Sequence, residues 1–159
     1  MLLRSFQLSD VHDVSRIWQL TASSDPERET LQELSKQLAR DRDLVLVAEL
    51  DGRVVGAIVG TVDKRTGFFY CLAVHPNYQG RGIGRRLVAS LEKRFRQKGV
   101  KRIGITIDEG TKKLLPFYLH LGYYNICYTA LEKELMFGSG KVSGEGESRV
   151  TGREGCAPL

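Results

Sequence analysis

Cysteine is scarce in this 159-residue sequence. Cys71, Cys127 and Cys156 are an odd number at wide separations, which excludes a fully paired disulfide framework and the closely spaced cysteines of a zinc finger. Cys71 and Cys127 lie in apolar runs and are predicted to be buried thiols in a reducing compartment. We therefore expect a cytoplasmic protein without a bound metal.

Long apolar runs are missing as well. No stretch approaches the roughly 20 residues that a bilayer-spanning helix needs, and the N-terminal sequence MLLRSFQLSD lacks the apolar core of a signal peptide. We expect no membrane partner. The 42% hydrophobic content instead suits one compact domain over residues 1–137. Residues 138–159 are rich in glycine and polar side chains and are predicted to form a disordered tail.

The net charge of +5 is concentrated in one segment, between Gln79 and Arg102. Its only acid is Glu92, and its basic residues are Arg81, Arg85, Arg86, Lys93, Arg94, Arg96, Lys98, Lys101 and Arg102. Such a patch is typical of a nucleic-acid surface, of a solvated helix face, or of residues that face the phosphates of a nucleotide cofactor. Aromatic side chains for base stacking are nearly absent from it, so nucleic acid is the least favoured partner.

Alternating strand and helix patterns predict an α/β domain with a mixed central sheet flanked by helices. Helices are expected at about 11–20, 26–38, 83–98 and 115–121, and strands at 2–7, 44–50, 54–61, 68–74, 101–107 and from 124 to about 136. Asp51-Gly52 predicts a tight antiparallel hairpin, and the crossover through the third helix makes the strands before and after it parallel. The fourth strand is predicted to be buried on both faces, and Trp18 is interpreted as a core residue.

A glycine-rich loop follows the fourth strand and opens the third helix; from Gln79 it reads Gln-Gly-Arg-Gly-Ile-Gly. Glycines let the backbone approach a ligand closely, and the free N–H groups and dipole of a helix N-terminus attract an anion. We therefore predict a phosphate or pyrophosphate site. A Walker loop is excluded because no Lys-Ser/Thr pair follows the glycines. A dinucleotide-binding fingerprint is excluded because Arg85 occupies the position of its third glycine.

Two motifs together resemble those of the GCN5-related N-acetyltransferase (GNAT) family. The first is Gln-x-x-Gly-x-Gly, formed by Gln79, Gly82 and Gly84 after a strand that ends Leu72-Ala73-Val74. The second is a Phe-Tyr pair followed by x-x-Leu-Gly-Tyr, formed by Phe117, Tyr118, Leu121, Gly122 and Tyr123. The resemblance covers about residues 2–135 and implies the GNAT fold, with parallel strands at the cofactor site.

The resemblance also implies an enzyme that transfers acetyl from acetyl-CoA to a primary amine by direct attack. The pyrophosphate would be held by the loop residues Gln79, Gly80, Arg81, Gly82, Ile83, Gly84 and Arg85. The main chain of Leu72, Ala73 and Val74 would pair with the pantetheine arm and polarise the thioester carbonyl. Tyr118 would contact the cofactor and protonate the departing thiolate. Thr111 stands where the family often has an asparagine that bonds the pantetheine arm.

The general base and the acceptor stay open. Family members often use a glutamate on the central strand or the next one, but both of these strands lack an acid here. The nearby alternatives are Glu49, His75, Asp108 and Glu109. The missing glutamate supports a second interpretation, a non-catalytic acyl-CoA-binding sensor on the same fold. The acceptor could be a protein N-terminus, a lysine or a small-molecule amine, and the protein a monomer or a homodimer.

Overall fold

The computed structural model describes residues 1–21, 27–107 and 110–126, together with residues 131, 133 and 135. In chain order, its strands and α-helices are β1 (Leu2–Ser5), α1 (Val11–Thr21), α2 (Glu27–Arg40), β2 (Val45–Leu50), β3 (Arg53–Asp63), β4 (Thr66–Val74), α3 (Ile83–Gln97), β5 (Arg102–Gly104) and α4 (Leu115–His120). Short 3-10 turns precede α1, β2, the glycine loop and α4. Outside the described residues lie Asp108, Glu109, Cys127, Cys156 and the tail predicted at 138–159.

The strands form one mixed sheet in the order β1-β2-β3-β4-β5, which confirms the predicted fold class. Neighbouring strands are antiparallel from β1 to β4, whereas β4 and β5 are parallel. The predicted hairpin joins β2 to β3, and both of its turn residues, Asp51 and Gly52, have positive φ angles of 51° and 74°. This is the backbone conformation that a tight two-residue turn requires.

Helices cover both faces of the sheet. The face under α3 and α4 buries a cluster that includes Leu46, Ile58 and Leu91. The opposite face packs against α1 and α2 through a second cluster that includes Ile17 and Val47. Because adjacent side chains of a strand point to opposite faces, this arrangement explains why β2 and β3 are apolar almost throughout. In the described part of the chain, no helix has the length and apolar composition needed to cross a bilayer.

The fifth strand is shorter than predicted. It spans only Arg102–Gly104 and pairs with Thr66–Phe68, whereas the prediction extended it over 101–107. Ile105 and Ile107 have no strand partner, but they pack against the cluster under α3. The alternating apolar pattern therefore reflects packing against the core beyond the point where strand pairing ends.

The closing strand predicted from residue 124 is not formed in the part of it that the structure describes. Residues 124–126 follow α4 without regular secondary structure, and Tyr124 and Ile126 are exposed. Leu131 and Leu135 are exposed as well. The apolar residues at these positions therefore do not form a buried strand face. The rest of that predicted strand lies among the residues left undescribed.

Gly60 of β3 lets α3 approach the sheet closely. A Cβ atom at Gly60 would lie 2.8 Å from Leu91 Cδ1 and 3.0 Å from Phe95 Cζ, both fully buried in the core. We expect Gly60→Ala to lower the free energy of unfolding by about 1–3 kcal/mol through overpacking. The measurement is urea unfolding.

Gly84 on α3 provides the matched control. A Cβ atom there would lie 3.7 Å from its nearest neighbour, an ordinary contact distance. Alanine is also favoured over glycine within a helix by about 1 kcal/mol, so Gly84→Ala should leave stability unchanged or raise it. Equal stability losses in the two variants would contradict this account of helix packing.

Candidate functional site

The glycine-rich loop has open space above its backbone. Gly80 and Gly82 both have φ angles of +74°, a left-handed conformation that residues with a Cβ atom rarely adopt. A Cβ atom built on either glycine would meet nothing within 4 Å among the described residues. The loop therefore leaves its main chain at Gly80 and Gly82 uncovered by side chains of the described residues.

The start of α3 offers unpaired hydrogen-bond donors beside that space. The first helical hydrogen bond runs from the Arg86 amide to the Gly82 carbonyl, at 3.1 Å. The amides of Ile83, Gly84 and Arg85 precede it, and amides of a helical first turn have no intrahelical acceptor. Together with the positive end of the helix dipole they favour an anion. The side chains of Arg85 and Arg86 are exposed next to these amides.

The polar side chains of the loop brace it. Gln79 Nε2 donates a hydrogen bond to the carbonyl of Val74, at 2.9 Å, which ties the loop to the end of β4. The Arg81 guanidinium lies 5.2 Å from the ring centre of Tyr78 and donates to the Asn77 carbonyl at 3.4 Å. Both side chains thus hold the loop in shape, and the main chain is left as its ligand-facing part.

One edge of β4 is open where the resemblance expects the pantetheine arm. On the β3 side, Ala73 pairs with Ala57 and Val74 with Gly56. On the β5 side, pairing ends at Phe68, so no described strand accompanies Leu72–Val74 there. Beyond Phe68, β4 therefore has no strand partner on this side, and apart from the Val74 carbonyl held by Gln79 its main-chain groups are available for an extended ligand.

A β-bulge in the β3–β4 pairing lies within this open part of β4. Cys71 and Leu72 together oppose the single residue Ile58, and Cys71 has a φ angle of +54°. The bulge turns Tyr70 and Cys71 towards the same face, the one covered by α1 and α2. The Cys71 thiol is therefore only half-buried, which corrects the prediction of a buried thiol. Bulges of this kind re-aim a strand and are frequent beside functional sites.

Trp18 of α1 forms a hydrogen bond with the main chain of the bulge. Its indole Nε1 donates a hydrogen bond to the carbonyl of Cys71, at 3.0 Å. The side chain is buried, as expected of a core residue, but it also satisfies a carbonyl that the bulge removes from regular pairing. The sequence analysis missed this second role, because no local pattern around Trp18 or Cys71 indicates the bulge.

Phe68, at the start of the same strand, contradicts the prediction that 68–74 is buried on both faces. It is 41% exposed and its ring lies against Gly104, where a Cβ atom would come within 2.8 Å of it. Phe69 is buried as predicted. Within the apolar run, Phe68 therefore packs against the neighbouring strand β5 and is not covered by a helix.

Tyr118 of α4 lies in an aromatic cluster beside β4. Its ring centre is 5.0 Å from that of Phe117, 6.0 Å from Phe69 and 5.9 Å from Tyr123. Burial raises the pKa of Tyr118 above that of an ordinary tyrosine, so the phenol is protonated at neutral pH. The group is thus a protonated donor at neutral pH.

The two sequence motifs meet at Gly84. A Cβ atom there would lie 3.7 Å from Phe117 Cζ and 3.8 Å from Val74 Cγ2, so α4, the end of β4 and the start of α3 are in contact. Thr111 is half-buried at the start of the 3-10 turn that leads into α4. The fold thus brings together the glycine loop, the open edge of β4 and the helix that carries Tyr118.

The candidate bases are engaged elsewhere or lie outside the described residues. Glu49 is on β2, two strands from β4, where its carboxylate forms an ion pair with Arg4 at 2.7 Å. His75 Nδ1 accepts a hydrogen bond from the Asn77 amide at 3.2 Å and thereby caps a turn. Asp108 and Glu109 are not described. Glu49 is thus engaged in an ion pair and His75 in a turn, and the general base stays unassigned.

Sequence comparison matches residues 11–123 to the acetyltransferase (GNAT) family. The chain belongs to this family. An acetyltransferase of Pectobacterium atrosepticum is 32% identical over 136 residues, which cover 86% of this chain and 96% of that protein.

Solved structures show the same GNAT fold. Ard1 from Thermoplasma volcanium superposes with a TM-score of 0.70 at 20% identity, over 79% of this chain and 84% of its own. Rv2747 from Mycobacterium tuberculosis, crystallised in complex with CoA and NLQ, superposes with a TM-score of 0.64 at 23% identity, over 83% of this chain and 76% of its own.

Proposed function

We propose that residues 1–137 transfer the acetyl group of acetyl-CoA to a primary amine. The observation that carries this proposal is the meeting of three parts at Gly84: an open glycine loop, an unpaired edge of β4 and the helix of Tyr118. Membership of the GNAT family supports the reaction class. The CoA complex of Rv2747, a protein of the same fold, supports the co-substrate.

The loop and β4 would bind the co-substrate through main chain. The amides of Ile83, Gly84 and Arg85, which lack intrahelical acceptors, would donate to the pyrophosphate at the glycine loop. The free edge of Leu72–Val74 would pair with the amides of the pantetheine arm as an additional strand does. The Thr111 hydroxyl would contribute one further contact at the start of the turn before α4.

The chemistry needs a polarised carbonyl and a proton donor. In the transfer, a bond forms between the amine nitrogen and the carbonyl carbon, and the carbon–sulfur bond breaks. A main-chain N–H of β4 would stabilise the negative charge on the carbonyl oxygen. Tyr118 would donate its phenolic proton to the departing sulfur, and the nitrogen would lose a proton to solvent or to an undescribed carboxylate.

A second candidate, an acyl-CoA sensor, is favoured by one observation: β4 and residues 102–107 carry no acid. Two measurements separate the candidates. Calorimetric titration with acetyl-CoA tests binding, and release of free CoA in the presence of a panel of primary amines tests transfer. Binding with transfer supports the enzyme, binding with no transfer to any amine supports the sensor, and absence of binding overturns both.

A further inference from the structure

The peptide unit between Cys71 and Leu72 belongs both to the bulge and to the open edge of β4. Its carbonyl is that of Cys71 and its N–H is that of Leu72. A trans peptide unit is planar, so its C=O and N–H groups point in opposite directions, and none of the described peptide bonds is cis. A contact that fixes the Cys71 carbonyl therefore also fixes the direction of the Leu72 N–H.

The Leu72 N–H faces the open edge of β4. On the other side of the strand, the His75 amide donates a hydrogen bond to a carbonyl of β3 at 2.8 Å. Successive N–H groups of an extended strand point to opposite edges. Counting back from His75 by this alternation, the Ala73 amide faces β3 and the Leu72 amide faces away from it. No described strand accompanies Leu72 on that side, so its N–H is directed where the pantetheine arm would lie.

The carbonyl of the same peptide unit is held by Trp18. The indole Nε1 donates to it at 3.0 Å, from a ring that is buried in the cluster between α1 and the sheet. Cys71 has a φ angle of +54°, which is unfavourable for a residue with a Cβ atom and persists only where surrounding contacts enforce it. The hydrogen bond from Trp18 is such a contact, and it comes from a rigid part of the core.

This hydrogen bond acts on the Leu72 N–H in two ways. It sets the plane of the peptide unit and hence the direction of the N–H. It also polarises the peptide unit, because hydrogen bonds in a chain strengthen one another, and so makes the N–H a stronger donor. A donor aimed at a thioester carbonyl contributes most when the amine nitrogen attacks and negative charge develops on the carbonyl oxygen.

We infer that Trp18 is a positioning residue for acetyl transfer. Its indole N–H fixes the peptide unit of Cys71 and Leu72 so that the Leu72 N–H donates to the thioester carbonyl. The inference rests on the proposed function for the identity of the ligand as acetyl-CoA. Trp18 acts through the main chain of β4, from the face of the sheet that α1 covers.

An isosteric analogue tests the inference, because Trp18 is the only tryptophan of the chain. In a tryptophan-auxotrophic host, β-(3-benzothienyl)alanine replaces Trp18 alone and keeps the shape of the ring, with sulfur in place of the N–H. Removing an oxyanion donor outright lowers kcat by roughly a hundredfold or more. Because the analogue removes only the support of the Leu72 N–H, we expect a smaller fall of kcat, about tenfold. The Kd of acetyl-CoA should be nearly unchanged.

Infrared spectroscopy of bound acetyl-CoA gives a readout that a purely structural role would not change. Without an amine present, the carbon-13-labelled thioester carbonyl should absorb at a lower frequency when bound than when free, because a hydrogen bond weakens the C=O bond. The benzothienyl analogue should make this shift smaller. A fluorinated tryptophan, whose N–H is a stronger donor, should make it larger and serves as the second probe if the first protein does not fold. An unchanged carbonyl band in either analogue protein would overturn the inference.

Ile17→Val is the matched control for stability. Ile17 precedes Trp18 on α1 and is buried in the same cluster, so the loss of one methyl group weakens the packing there without removing a hydrogen bond. We expect this variant to keep the wild-type kcat and carbonyl band while its stability falls, as measured by urea unfolding. A fall of kcat as large as that of the benzothienyl analogue would assign the effect to packing and overturn the inference.

Failure of the inference is distinguishable from failure of the proposed function. If acetyl-CoA binds and amines are acetylated, but the analogues change neither kcat nor the carbonyl band, the function stands and Trp18 serves the core alone. If acetyl-CoA binds but no amine is acetylated, the transferase function fails, and an unchanged carbonyl band overturns the positioning of Leu72 as well. Absence of acetyl-CoA binding overturns both.

Discussion

Replacement of Gly82 by glutamate is expected to abolish acetyl-CoA binding. Gly82 is the N-cap residue of α3 and has a left-handed φ of +74°, with open space where a side chain would begin. The new carboxylate would occupy the space that the pyrophosphate needs and would itself attract the free amides of the first turn. Because several charge-assisted hydrogen bonds are lost together, we expect the Kd to rise by at least roughly a hundredfold.

Gly52 supplies a matched control for backbone strain. It has the same φ angle of +74°, and its added Cβ atom would also meet nothing within 4 Å, but it lies in the β2–β3 turn, away from the loop. Gly52→Glu therefore carries the same left-handed penalty, about 1–2 kcal/mol, without a charge at the candidate site. Calorimetry on both variants, with thermal unfolding beside it, separates the two effects.

The expected pattern is a similar loss of stability in both variants and a loss of binding in Gly82→Glu alone. Retention of acetyl-CoA binding by Gly82→Glu would remove the loop from the site. Loss of binding in both variants would mean that backbone strain, rather than the position of the charge, controls binding.

The parts of the fold that sequence reasoning predicted best are those set by neighbouring residues. The Asp51-Gly52 turn and the helix expected at about 83–98 both follow from local patterns, and the structure confirms them. The parallel pairing of β4 and β5 followed from the handedness of a crossover, which is a general rule of such connections.

The parts that sequence reasoning missed depend on residues far apart in the chain. β5 ends at Gly104, where its pairing with β4 ends, although its alternating isoleucines continue to Ile107. The bulge at Cys71 depends on the register with β3 and on Trp18, 53 residues earlier in the chain. Propensity and periodicity carry no information about such pairings.

The candidate site divides in the same way. Sequence motifs alone identify the loop residues from Gln79 to Arg85 and Tyr118 as candidate site residues. The bracing role of Gln79 and the ion pair that engages Glu49 require the folded chain.

A general acid at Tyr118 would supply the proton that leaves with the product thiol. Tyr118→Phe removes one oxygen and keeps the ring that packs against Phe69 and Phe117. We expect kcat to fall by roughly a hundredfold, a typical loss for a general acid. Acetyl-CoA binding should be nearly unchanged, because the loop and the edge of β4 are intact. Steady-state kinetics with calorimetric titration measures both quantities.

Tyr123 provides the matched control in the same aromatic cluster. Its hydroxyl donates a hydrogen bond to Glu92 at 2.9 Å, and burial, together with Glu92, raises its pKa. Tyr123→Phe should therefore cost about 1 kcal/mol of stability through the lost hydrogen bond and leave kcat close to the wild-type value. A similar fall of kcat in the two variants would indicate packing rather than proton donation.

The pH dependence gives Tyr118 a signature that packing alone would not produce. Burial raises its pKa, so the neutral, proton-donating form persists to a higher pH than in an ordinary tyrosine, whose pKa is about 10. As pH rises through the raised pKa the proton is lost, and kcat should fall only in that range. The residual activity of Tyr118→Phe should lack this alkaline fall, because phenylalanine has no proton to lose. A variant that kept both the wild-type kcat and its alkaline fall would assign the acid to another group.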